Sequence, residues 1–132
     1  MPTRRTVEKA RADLRAGKSA STAAGEFVHE EIEHVRQGKH GAKSTKQAIA
    51  IGLSKARRAG VPLKPPRRGR VTGRTRRAAI RDYEVGQGRR TPRSPSRRRK
   101  AATLAALKRQ RRSSASRAAL SRQARSAARR RK

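Results

Sequence analysis

The chain contains no cysteine and no tryptophan. Without cysteine there is no disulfide, no thiolate metal site and no thiol nucleophile, a pattern that fits a reducing compartment. Phe27 and Tyr83 are the only aromatic residues, so no aromatic platform interleaves the basic half to stack single-stranded bases. Leu, Ile, Val and Phe number 17 of 132, below the roughly 20% at which high net charge begins to favour disorder. No run approaches membrane-spanning length, and the N-terminus, MPTRRTVEKARADLRAG, has no apolar core of the signal-peptide kind. A soluble cytoplasmic protein with no membrane partner is expected. Acidic residues are the other shortage, with only eight Asp and Glu.

Against those eight stand 39 Lys and Arg, a formal net charge of +31. Residues 1–60 hold 13 basic and 6 acidic side chains, and residues 61–132 hold 26 and 2. Such a field opposes compaction and attracts any dense polyanion. Nucleic acid is the expected partner.

The larger apolar residues lie mostly before residue 64, so packing is expected there. A short helix, 7–16, is expected behind a basic arm, with Thr6 as its cap and Gly17 past its end. A second helix is capped by Ser21 or Thr22 and closed by Gly38, with Val28, Ile32 and Val35 at i, i+4, i+7. A third has the clearest limits: Ser44 and Gln47 read as a capping box, Gly60 as the C′ residue, and Pro62 follows. Its small residues Ala48, Gly52 and Ala56 suit close approach of another helix. The predicted fold is mostly α: a small helical hairpin module, 21–60, with a long disordered or conditionally helical Arg-rich C-terminal tail. The predicted divisions are a basic arm with a short helix (1–20), the hairpin (21–60), a Pro/Gly linker (61–73) and a nucleic-acid-binding tail (74–132). A helix over about 74–85 opens that tail.

The candidate nucleic-acid-binding residues begin in the linker with Arg67, Arg68 and Arg70, and continue with Arg74, Arg76, Arg77, Arg89, Arg90 and Arg93. The densest cluster is Arg97, Arg98, Arg99 and Lys100. Lys108, Arg109, Arg111, Arg112, Arg117, Arg122 and Arg125 follow, and the chain ends on Arg129, Arg130, Arg131 and Lys132. Arginine dominates, and its planar fork of donors suits phosphate oxygens and narrow minor grooves. An ordinary solvated surface mixes both signs of charge; this one does not.

Other motifs carry less. Ser94-Pro95-Ser96-Arg97 resembles the S/T-P-x-basic repeats of linker-histone tails, which implies a turn laying arginines along a minor groove; the plain alternative is a spacer. Thr91-Pro92-Arg93 fits that form only in part, and Thr91 and Ser94 are candidate phosphorylation sites. His29 and His34 are spaced i, i+5, too far around a helix for one metal, and His40 sits in a Gly-flanked loop. No metal, cofactor or catalytic residue is expected. Glu26, Glu30, Glu31 and Glu33 form an acidic island in 21–37. That island is either an ordinary solvated face or a surface for shielding the tail or for self-association.

The segment Lys46-Gln47-Ala48-Ile49-Ala50-Ile51-Gly52-Leu53-Ser54-Lys55-Ala56-Arg57-Arg58-Ala59-Gly60, preceded by an acidic-hydrophobic helix and the loop Gly38-Lys39-His40-Gly41, resembles a bacterial family of small, very basic proteins of unknown function. The tail with ALSRQAR at 119–125 resembles that of longer members, which are described as DNA-binding. The resemblance implies a bacterial origin and a nucleoid location, and it transfers no catalytic residue. Residues and resemblance together predict a non-enzymatic, sequence-tolerant DNA-binding protein of histone-like type. RNA or ribosome binding is the first alternative, and a protein adaptor using the 21–60 hairpin is the second.

Overall fold

The computed structural model describes residues 2–131. It is mostly α. Among the described residues there are six helices: α1 (Arg4–Arg15), α2 (Ala20–Arg36), α3 (Thr45–Arg58), α4 (Gly73–Gly86), α5 (Arg97–Lys108) and α6 (Arg117–Arg130), with a short 3-10 turn at Ser113–Ala115. Among the described residues there is no strand, only one isolated bridge between Arg68 and Val71 in the linker.

Local chemistry sets the helix limits. Thr3, not Thr6, caps α1: its side chain accepts from the Thr6 amide, and Thr6 is buried inside the helix. Ser19 caps α2 through the Thr22 amide at 3.2 Å, upstream of the expected Ser21 or Thr22. At α3, Ser44 Oγ accepts from the Gln47 amide at 3.1 Å, while Gln47 Oε1 accepts from the Lys43 amide at 2.6 Å. This is a capping box whose return bond falls one residue early. The far end of α3 is a Schellman motif on Gly60. The Gly60 amide donates to the Arg57 carbonyl, the Val61 amide donates to the Ala56 carbonyl, and φ of Gly60 is +102°.

The chain forms two compact units, each discontinuous in sequence: residues 1–30 with 51–93, and residues 31–50 with 94–132. Helices α2 and α3 each contribute residues to both. The first unit packs around Phe27, with Ala10, Ala23, Ala24, Ala56 and Val61 buried beside it and Val7, Leu14, Leu53 and Leu63 along its edge. With so few large side chains, the helices close on alanines and glycines. A Cβ on Gly52 would lie 2.6 Å from Val28 Cα. Asp82 of α4 accepts from Ser54 Oγ at 2.6 Å and pairs with Arg58 at 3.1 Å. Arg57 is buried and donates to the Leu63 and Lys64 carbonyls. That burial lowers its pKa, with Asp82 opposing, yet an arginine remains charged throughout the ordinary pH range.

The second unit overturns the expectation of a disordered tail, because α5 and α6 are formed helices. Repulsion within the excess of positive charge opposes such order, but Ser96 and Ser116 cap α5 and α6 through the Arg99 and Ala119 amides. The segment between them is tied to the 36–45 stretch. The Gly41 and Ala42 amides donate to the Leu107 and Arg111 carbonyls at 2.8 and 3.0 Å. Ser114 Oγ donates to the Ala42 carbonyl, Thr45 Oγ1 to the Ser114 carbonyl, and Arg36 Nε to the Ala115 carbonyl. Ile32, Val35, Ala42, Ala48, Ala115 and Ala119 are buried in this unit.

Candidate nucleic-acid interface

Charge is divided between the units. The first holds 20 basic and 6 acidic residues, net +14, and the second holds 19 and 2, net +17. No acidic residue follows Glu84.

Helical spacing sorts these cations into stripes. On α4, Ala79 is buried and Ile80, Asp82 and Tyr83 are half-buried, while Arg74, Arg77 and Arg81 are exposed. Those three sit at i, i+3, i+7, one face of the helix. On α6, Ala119 is buried, and Leu120, Gln123, Ser126 and Ala127 are half-buried. Arg122, Arg125 and Arg129 are exposed at the same i, i+3, i+7 spacing. Each stripe spans about 10 Å along its helix axis at 1.5 Å per residue. Arg81 was absent from the sequence-derived candidates; its phase with Arg74 and Arg77 was the signal that could have found it.

The remaining candidates divide into exposed cations and cations engaged within the protein. Arg67, Arg68 and Arg70 are exposed in the linker, and Arg89 and Arg93 are exposed between α4 and α5. Arg97, Arg98, Arg99 and Lys100 form the exposed first turn of α5, where the helix dipole disfavours positive charge. Lys108, Arg111, Arg117, Arg130 and Arg131 are also exposed. A smaller group is engaged within the protein. Arg76 is half-buried on the Pro66 carbonyl at 3.2 Å, Arg90 pairs with Glu84 at 2.8 Å, and Arg109 bonds the Ala105 carbonyl. Arg112 Nε donates to the Val35 carbonyl at 3.4 Å and Nη2 to the Arg36 carbonyl, closing the C-terminus of α2. Lys132 lies outside the described residues.

A family described as "Family of unknown function (DUF6496)" matches residues 15–69. No curated protein and no solved structure matches the chain.

The matched span covers α2, α3 and most of the linker, and it ends before both arginine stripes. A cavity of about 350 Å³ stands at the N-terminus of α3, lined by Ser44, Thr45 and Lys46 with Ala119, Arg122, Gln123 and Ser126. Two cations and a helix N-terminus there favour an anion. Ser96 of the Ser-Pro motif serves as the α5 cap. The acidic island is largely used locally: Glu30 accepts from the Thr3 amide at 2.9 Å, Glu33 pairs with Arg36 at 3.2 Å, and Glu31 is buried. Among the described residues no helix is long and apolar enough to cross a membrane. Sequence reasoning also passed over Glu31 and His40, which the fold brings within 2.8 Å of each other; the E-x-x-H spacing of Glu31 and His34 was the available signal.

Proposed function

We propose that the protein binds duplex DNA without strong sequence preference, as a nucleoid-associated, histone-like, non-enzymatic protein, with arginine stripes on phosphates. The observation that carries this reading is the repetition of one stripe, three exposed arginines at i, i+3, i+7, on α4 and again on α6. Such faces exchange condensed counterions for phosphate contacts, a gain that does not depend on base sequence. Two further features support it. Four adjacent cations occupy the N-terminal turn of α5, and α5 buries no residue. Neutralisation by phosphate removes the repulsion there and strengthens the helix.

The test is a salt titration of the full chain against random-sequence duplex, structured RNA and single strands. Ten neutralised phosphates give log K against log salt a slope of about −9. Preference for duplex with a steep slope supports the reading. Preference for structured RNA transfers the same arginines to RNA. Binding that is indifferent to salt rejects the electrostatic mechanism.

A further inference from the structure

Glu31 lies on α2 with its side chain 1% exposed, and His34 follows three residues later. Gly38 then ends α2 with φ +77°, its amide on the Val35 carbonyl and that of Lys39 on the His34 carbonyl. The reversed chain places His40 against Glu31, with Nε2 2.8 Å from Oε1. His34 Nδ1 stands 4.0 Å from Glu31 Oε2. The three ligand atoms lie within 4.8 Å of one another, and all three residues belong to the same compact unit. His29 is exposed and outside this cluster.

The decisive detail is the other ring nitrogen of His40. Nδ1 is 2.8 Å from the Gly41 carbonyl oxygen, which can only accept, so Nδ1 carries the hydrogen. A neutral imidazole has one N–H, and Gly41 takes it. The lone pair of Nε2 then points at a carboxylate oxygen inside the fold. Nε2 of His40 and Oε1 of Glu31 thus present electron pairs side by side, as two ligands of one cation do. His34 stands near enough to complete a three-ligand set.

We propose that Glu31, His34 and His40 bind one divalent transition-metal cation of the zinc type. Two imidazoles and a carboxylate suit zinc, and the absence of thiolates disfavours softer ions. At zinc–ligand distances of 2.0–2.2 Å, neighbouring donors in a tetrahedron stand about 3.3 Å apart. The 2.8 Å gap to Oε1 and the 4.0 Å gap to Oε2 fall on either side of that value, and the three ligand atoms lie within 4.8 Å of one another, so side-chain rotations must draw them together to close the site. The Nδ1–H bond to Gly41 is the outer support that orients a ligating histidine. Side-chain exposures of 17% for His34 and 10% for His40 leave a path for the ion and a position for water as fourth ligand.

The experiment uses the full, untagged chain, stripped with chelator and titrated with Co²⁺. A visible ligand-field spectrum should saturate at one ion per chain and be displaced by Zn²⁺. His34→Gln and His40→Gln should each lower affinity at least about tenfold, on the scale set by losing even a supporting partner of a ligand. His29→Gln should leave it unchanged. Circular dichroism identifies any variant that fails to fold. In that case Co²⁺ broadening of the His34 and His40 ring resonances, with His29 spared, decides the matter in the unaltered chain. No saturable spectrum, undiminished binding by both variants, or equal loss in His29→Gln overturns the proposal.

Discussion

Gly52 of α3 faces the backbone of Val28 of α2 so closely that a Cβ there would stand 2.6 Å from Val28 Cα and 3.0 Å from its nitrogen. The obstruction is main chain, which no rotamer change relieves. Gly52→Ala should therefore destabilise the protein by roughly 1–3 kcal/mol, the cost of overpacking a closed contact. Gly25, also in α2, has nothing within 4 Å of its virtual Cβ. There the same substitution should stabilise by about 0.5–1 kcal/mol through helix propensity and unfolded-state entropy. Denaturant unfolding of the two variants checks the opposite signs.

Arg112 tests the separation of structural from binding arginines. Its guanidinium closes the α2 C-terminus on the Val35 and Arg36 carbonyls. Arg112→Lys keeps the charge but loses the fork of donors. Stability should fall by about 1.5–3 kcal/mol, the range for hydrogen bonds to charged groups, while duplex affinity at fixed salt stays within twofold. Parallel unfolding and binding measurements distinguish the two effects.

The arginine stripes should respond in the opposite way. Replacing Arg74, Arg77 and Arg81 by Gln, or Arg122, Arg125 and Arg129 by Gln, removes exposed charge without opening a core. Gln and Arg have similar helix propensity, so helicity should be retained. Each triple variant should flatten the salt dependence of duplex binding by about 2.7 in log–log slope if all three contacts are made. An unaltered slope removes that stripe from the interface.

Ser96 and Ser116 cap helices whose arginine content opposes them. Ser96→Ala and Ser116→Ala should each cost about 1 kcal/mol of local helix stability. The loss should show most at α5, which buries no residue. Amide hydrogen exchange over 97–108 reads it directly, and saturating duplex DNA should restore protection if phosphate neutralises the first turn.

Much of the helical architecture was legible in the chain. The Ser44–Gln47 signal and Gly60 placed α3 because capping and Schellman geometry are local and use residues within five positions of each other. Thr3, Ser19 and Ser96 were harder to read, since each competes with another hydroxyl residue nearby and only backbone geometry chooses. The C-terminal helices were misjudged for a different reason. Repulsion among arginines is visible in a sequence, whereas bonds such as Ser114 to Ala42 or Arg36 to Ala115 join residues 72 and 79 positions apart.

By itself the sequence determined the charge, its excess toward the C-terminus, the helical class and the lack of thiol chemistry, because these depend only on which residues are present and on spacing within a few turns. Tertiary structure alone decided which arginines are spent on carbonyls and which remain exposed in stripes. It also decided that His40, dismissed as a loop residue, meets the buried carboxylate of Glu31. The physical reason is that a side chain's chemistry depends on the groups within about 3 Å of it, and those come from chain closure that no local pattern encodes.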